Sequence, residues 1–165
     1  LEKIAKNLDS EAEDVANQAQ NLSAELKNER RQRLALEKQL ARGEAESLER
    51  KIREVGGINV LVERVAPTSI DNLREMSDSL RDKMKNGLVA LVTVYEDKPV
   101  FVVNVSPDLV AKGYKAGEIV KRAAGVTGGS GGGRSNLAQG GGTDKTKLDE
   151  ALKEVEKYIE ELGSS

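Results

Sequence analysis

The chemistry available to this 165-residue chain is concentrated in one stretch, Gly125-Val-Thr-Gly-Gly-Ser-Gly-Gly-Gly-Arg-Ser-Asn-Leu-Ala-Gln-Gly-Gly-Gly142, which holds nine of the sixteen glycines. Without a Cβ in the way, Gly128, Gly129, Gly131, Gly132, Gly133 and Gly140 can bring successive backbone N–H groups up to the oxygens of a phosphate. Arg134 adds a planar, bidentate phosphate ligand, and Ser135, Asn136 and Gln139 add neutral hydrogen-bonding groups. An amphipathic helix is expected to follow at Thr143, and its N-terminus contributes partial positive charge and free amides. Lys112, Lys115, Lys121 and Arg122 lie just upstream as a basic rim. The competing reading is plain: a Gly/Ser tether beside four ordinary surface cations. The charged, apolar and amide residues of Arg134–Gln139 interrupt the tether pattern, and a helix with a full apolar stripe directly after it requires both flanks to dock on one core.

Gly128 to Ser135 reads Gly-x-x-x-x-Gly-Arg-Ser, one substitution from a nucleotide-binding P-loop. That motif needs a strand before it and a helix directly after it. Here a helix precedes, Asn136 to Gly142 cannot continue as one, and the lysine is an arginine, so the P-loop reading is rejected. The absence of His and Cys excludes imidazole or thiolate zinc sites, Ser–His–Asp and Cys–His catalysis, and disulfides. Scattered acidic residues give carboxylate catalysis no support, although an all-carboxylate metal site stays open. With 26 basic and 28 acidic residues the net charge is −2, so any basic footprint must be local. Tyr95, Phe101, Tyr114 and Tyr158 are the only aromatic residues, too few for base stacking on several platforms. No apolar run approaches the ~20 residues that span a bilayer, and the N-terminus lacks a signal-peptide core. No membrane association is expected, and the cytoplasm is the expected compartment. The chain begins at Leu1 without a Met and is read as a piece of something longer.

These groups must be positioned by an α/β domain: a small mixed β-sheet with flanking helices, preceded by a long helical, coiled-coil-like segment. The helical segment is placed at residues 1–55 and the globular domain at 56–165. In the first, Leu1, Ala5, Leu8, Ala12, Val15, Ala19, Leu22 and Leu26 alternate steps of four and three, a heptad seam. It falters at Glu29 and Arg33 and resumes at Leu36 and Leu40. Such a stripe needs a partner, either a second chain or a fold back near residues 27–33. The basic cluster there, Lys27 to Arg33, reads as a solvated helix face or as a contact to RNA backbone. In the second domain, Ile58–Val65 reads as a strand, and Ser69 or Thr68 caps a helix carrying Ile70, Leu73, Met76, Leu80 and Met84. Leu88–Tyr95 and Val100–Val105 form a hairpin about Glu96–Pro99, and their near-continuous apolar runs predict burial on both faces. Short helices start at Pro107 and near Ala116; a last one, capped by Thr143 or Asp144, carries Leu148, Leu152, Val155, Ile159 and Leu162.

A helix, a glycine-rich run, an Arg, Asn-Leu-Ala-Gln, a glycine triplet and a terminal amphipathic helix together resemble the C-terminal domain of alanyl-tRNA synthetases. The same globular domain occurs in DHH phosphoesterases as an accessory nucleic-acid-binding domain. The resemblance covers Gly56 to Leu162, and the preceding heptads are similar to the family's linking helices. Arg134 followed by Leu-Ala-Gln favours the synthetases over the phosphoesterases, where a His commonly follows the glycines. The synthetase pattern has Pro-Asp where this chain has Ser135-Asn136. The resemblance implies a non-catalytic module that binds the elbow of tRNA, links aminoacylation to editing and can mediate dimerisation. It implies tRNA, the other synthetase domains and a second copy as partners. It implies no cofactor in this segment, the ATP, magnesium and zinc of the family being used in other domains. The alternatives are a structural coiled-coil dimerisation module, with the glycines as a tether, and the accessory domain of a DHH phosphoesterase.

Overall fold

The structure, a computed structural model, describes residues 2–165, with side chains from Glu11 onward. It divides into two compact units, Leu1–Glu44 and Ala45–Ser165. The first unit lies within one helix, α1 (Glu2–Glu49). α1 runs unbroken through residues 27–33, so the fold-back open at the sequence level is not formed. Lys27 to Arg33 contains no glycine or proline, and its straight-chain residues favour helix; Arg33 pairs with Glu37 at 3.5 Å one turn on. Val15, Leu22, Leu26, Leu34, Leu36 and Leu40 are each at least 50% exposed, so the described part of the seam has no partner within its unit. Leu1, Ala5 and Leu8 of the seam lie outside the residues whose side chains are described.

The second unit begins with the last turn of α1, where Leu48 enters the core at 3% exposure. Arg53–Val55, read from sequence as the end of the helical segment, is a strand, β1, paired antiparallel with β2 (Ile58–Arg64). The Gly56-Gly57 turn makes this possible: both residues adopt left-handed φ, +60° and +83°, which reverses the chain. The remaining strands are β3 (Gly87–Tyr95), β4 (Lys98–Val105), β5 (Ser130–Gly133) and β6 (Leu137–Gly141). They form one mixed sheet in the order β1-β2-β3-β4-β6-β5, in which β2 and β3 are parallel and all other pairs antiparallel. The parallel pair is joined by α2 (Ile70–Lys83), whose N-cap Ser69 accepts from the Asn72 amide. β3 and β4 make a hairpin on the two-residue turn Glu96-Asp97, so Lys98 and Pro99 lie in the strand.

Both faces of the central strands are buried. Val60, Leu88, Ala90, Val92, Phe101 and Val103 face α4 (Ala116–Val126) and α5 (Leu148–Gly163), whose Ile119, Val120, Ala123, Leu148, Val155 and Ile159 complete that core. Leu61, Val89, Leu91 and Val102 face α2, through Leu73, Leu80 and Met84, with Leu48 beside them. α3 (Pro107–Ala111) is a single short helix that turns the chain from β4 towards α4. α5 starts at Leu148 rather than at Thr143; Asp144 instead caps a 3₁₀ turn at Lys145–Lys147 by accepting from the Thr146 amide.

Candidate nucleic-acid interface

The glycine segment is a β-hairpin, and its glycines are required by packing. A Cβ on Gly131 would stand 2.3 Å from Val120 Cγ1, and one on Gly140 2.6 Å from the same atom. Val120 is fully buried, so α4 reaches these two strands only because they are bare. Strand register is set by β4, against which β6 pairs Val103 with Ala138 and Phe101 with Gly140. Ala138, 2% exposed, joins the α4–α5 core, and strand alternation puts Leu137 and Gln139 on the opposite face.

Most amides of the segment are committed. Gly129 N–H donates to the Ala124 carbonyl at 2.8 Å, Arg134 N–H to Leu137 at 2.9 Å and Gly142 N–H to Pro99 at 3.0 Å. With Arg134 bonded to Leu137, antiparallel alternation turns the N–H groups of Gly132 and Ser130 inward and leaves those of Gly131 and Gly133 on the outer edge of β5. The N–H groups of Thr143 and Asp144 both donate to the Thr127 carbonyl. In place of a loop of successive free amides at a helix start, the structure therefore has a paired hairpin with two edge amides, and the first turn of α5 lies beyond Lys147.

Arg134, Ser135 and Asn136 make the hairpin turn, and all three are exposed. Two backbone bonds hold it: the Ser135 carbonyl accepts from Ala116 N–H at 2.8 Å and the Asn136 carbonyl from Val105 N–H at 2.7 Å. The first of these places the turn at the start of α4, beside its N-cap Lys115, with Lys112 three residues earlier at the end of α3. Arg134, Lys112 and Lys121 enter no ion pair among the described residues, and Lys115 stands 4.0 Å from Glu118. Lys121 is exposed on α4 next to Val120. Arg122 is engaged elsewhere: its guanidinium lies 3.9 Å above the Tyr158 ring and 3.3 Å from Glu154, both on α5. Tyr158 donates to Glu118 at 2.9 Å; burial first, then that hydrogen bond, raises its phenol above the ordinary 10.0. Hydrogen bonds from the Thr146 side chain and amide lower the Asp144 carboxyl below its ordinary 3.8. Thus Lys115 and the turn are brought together, whereas Arg122 is drawn to α5.

Sequence reasoning missed two residues. Asn104, 3% exposed, donates from Nδ2 to Oδ1 of Asp78 on α2 at 2.6 Å. Asn104 lies on the Gln139 face of the sheet, directly across from Leu137. The signal was its polarity within the run Val100-Phe-Val-Val-Asn-Val105. Among the described residues no group of three or more carboxylates is placed to hold a metal ion.

Residues 57–161 match the DHHA1 domain model. The chain belongs to the DHHA1 domain family. Its globular part is similar to the crystal structure of the C-Ala domain from Aquifex aeolicus alanyl-tRNA synthetase, at 32% identity and a TM-score of 0.60, covering 70% of this chain and 99% of that one. It is 46% identical over 159 residues to an alanine–tRNA ligase of Dehalococcoides mccartyi, covering 96% of this chain and 18% of that one. An alanine–tRNA ligase of Geobacillus thermodenitrificans is 38% identical over 163 residues, 99% of this chain and 19% of its own length. The chain thus spans under a fifth of the length of these relatives and corresponds to the C-terminal domain of alanyl-tRNA synthetases. No helix of the described residues is long and apolar enough to cross a membrane.

Proposed function

We propose that this chain is the non-catalytic tRNA-binding module of an alanine–tRNA ligase, gripping the elbow of folded tRNA so that aminoacylation and editing act on one bound molecule. The observation that carries the reading is the Arg134-Ser135-Asn136 turn, exposed, held by two backbone hydrogen bonds at the start of α4 next to Lys115, with Arg134 in no ion pair among the described residues. A cation on a hydrogen-bonded turn at the end of the strand that carries the edge amides of Gly131 and Gly133 suits recognition of a folded RNA by backbone and shape, which needs few aromatics. Lys112, Lys115 and Lys121 extend the positive rim, and Arg122 contributes through α5 rather than by contact. ATP, magnesium and zinc belong to other domains of such an enzyme, and those domains are the module's further partners.

The test is tRNA retention on filters over a salt series. Parent binding should weaken by about 0.7–0.9 log units per log unit of salt for each phosphate contacted. Arg134→Ala should weaken binding and reduce that slope by about one contact. An Arg134→Ala variant with parental affinity and slope would remove the turn from the interface.

A second role, self-association through α1, is favoured by one observation: Leu22, Leu36 and Leu40 are 65%, 59% and 74% exposed along one helix. Sedimentation equilibrium should find a dimer in the parent and a monomer in Leu22→Lys/Leu36→Lys; a monomeric parent refutes it.

A further inference from the structure

The sheet face that carries α2 is only partly covered. α2 packs over β3 and β4, and beyond it Gln139 is exposed and Gly132, paired with Gln139, bears no side chain. At the border sits Asn104, a carboxamide 3% exposed in an otherwise apolar strand. A polar group is buried there at a cost unless it is satisfied, and it is satisfied on one side only. Its Nδ2 donates to Asp78 Oδ1 at 2.6 Å, which fixes the amide plane. Asn104 Oδ1 accepts nothing among the described residues, yet it is not sealed in: among those residues the buried side-chain polar atom without a partner is Ser106 Oγ. Asp78 forms no ion pair among the described residues and is exposed, so its second oxygen is open as well. Asn104 Oδ1 and the second Asp78 oxygen are thus the two open acceptors of one hydrogen-bonded pair, with Gln139 diagonal to Asn104 across the β4–β6 pair, about 7 Å away.

We propose that Asn104 and Asp78, with Gln139, read the Watson–Crick edge of an unpaired guanine in the bound RNA. The inference rests on the RNA-binding reading and adds a base contact to it. Two open acceptors call for a ligand that brings donors. Guanine is the one common base whose Watson–Crick edge presents two adjacent donors, N1–H and N2–H₂. These meet Asp78 and Asn104 Oδ1, and guanine O6 accepts from the Gln139 amide. Adenine, cytosine and uracil each place an acceptor where one of the two donors is needed. The bare peptide of Gly132 leaves room for the ring beside Gln139. Bases of RNA loops offer this edge, whereas paired bases do not.

The experiment has two arms. In the first, tRNA binding is measured for Asp78→Asn and Gln139→Ala. If Asp78 only props Asn104, removing its negative charge must leave polyanion binding equal or tighter. If it accepts guanine donors, affinity must fall, about tenfold, with the salt slope unchanged. Equal or tighter binding by Asp78→Asn overturns the proposal. In the second arm, the side-chain NH₂ resonances of Asn104 and Gln139 are followed while guanosine monophosphate or inosine monophosphate is added to the 165-residue chain. Inosine lacks the 2-amino group, so its shifts at equal concentration should be several-fold smaller; equal shifts, or none with guanosine, overturn the proposal. A parent chain that retains no tRNA defeats the RNA-binding reading itself, while the nucleotide arm still decides the guanine site.

Discussion

Replacing Gly131 by alanine separates an ordered hairpin from a tether by the sign of its effect. A Cβ built on Gly131 meets Val120 Cγ1 at 2.3 Å, Gly140 Cα at 2.8 Å and the Gln139 carbonyl at 3.0 Å. Two of those three atoms are backbone of the paired strand, and Val120 is fully buried between α4 and the sheet. Relief therefore requires β5 to move off α4 or Val120 to leave its rotamer, an overpacking cost of about 1–3 kcal/mol. In a disordered tether the same substitution would only reduce the freedom of the unfolded chain, leaving stability unchanged or raising it by at most about 0.4–1 kcal/mol. Gly132 is the internal control: nothing lies within 4 Å of its Cβ, so Gly132→Ala should stay within about 0.5 kcal/mol of the parent. Urea unfolding followed by far-ultraviolet circular dichroism reads both variants; a lower midpoint at unchanged m reports lost stability. In combination with Val120→Ala, the Gly131→Ala penalty should shrink by about 0.5–3 kcal/mol, since the clashing methyl is gone. A Gly131→Ala chain as stable as the parent, or more so, would refute the packing of α4 on this hairpin.

Other consequences are smaller in scale. Glu96 sits at φ +48° in the two-residue β3–β4 turn, a conformation in which Asn is better tolerated than Glu, so Glu96→Asn should raise stability by about 0.5–1 kcal/mol in the same urea assay. Because the Tyr158 phenol is raised by burial and by Glu118, the folded chain holds its proton longer than the unfolded chain. That contribution is complete below the ordinary 10.0 and is lost as pH rises through the folded value, so Tyr158→Phe should flatten the decline of stability on the alkaline side; an unchanged decline would show that Tyr158 is not its source. The lowered Asp144 carboxyl works in the opposite direction: its contribution is present above 3.8 and lost as pH falls through the folded value, and Asp144→Asn should remove that part of the acid-side dependence.

Local and periodic features were legible in the order of residues alone. β-branched runs gave β2, β3 and β4, the steps from Ile70 to Leu80 gave α2, Ser106-Pro107 began α3, and the stripe from Leu148 to Ile159 gave α5 with its buried face. Apolar side chains on both faces of Leu88–Val94 announced a sheet covered on both sides, because such a strand has no face to leave in water. The lack of His and Cys removed whole classes of chemistry at the outset. Long-range packing fixed the rest. Glycine has almost no strand propensity of its own, so nothing in Ser-Gly-Gly-Gly marks it as β5; the strand exists because β6 pairs with β4 and Val120 needs bare backbone beneath it. Whether Arg122 faced solvent or the Tyr158 ring depended on α5 docking against α4, a contact between residues 36 apart that no local pattern encodes. The Asn104–Asp78 pair joins a strand to a helix 26 residues earlier, and only the packing of α2 on the sheet brings that carboxylate to that amide.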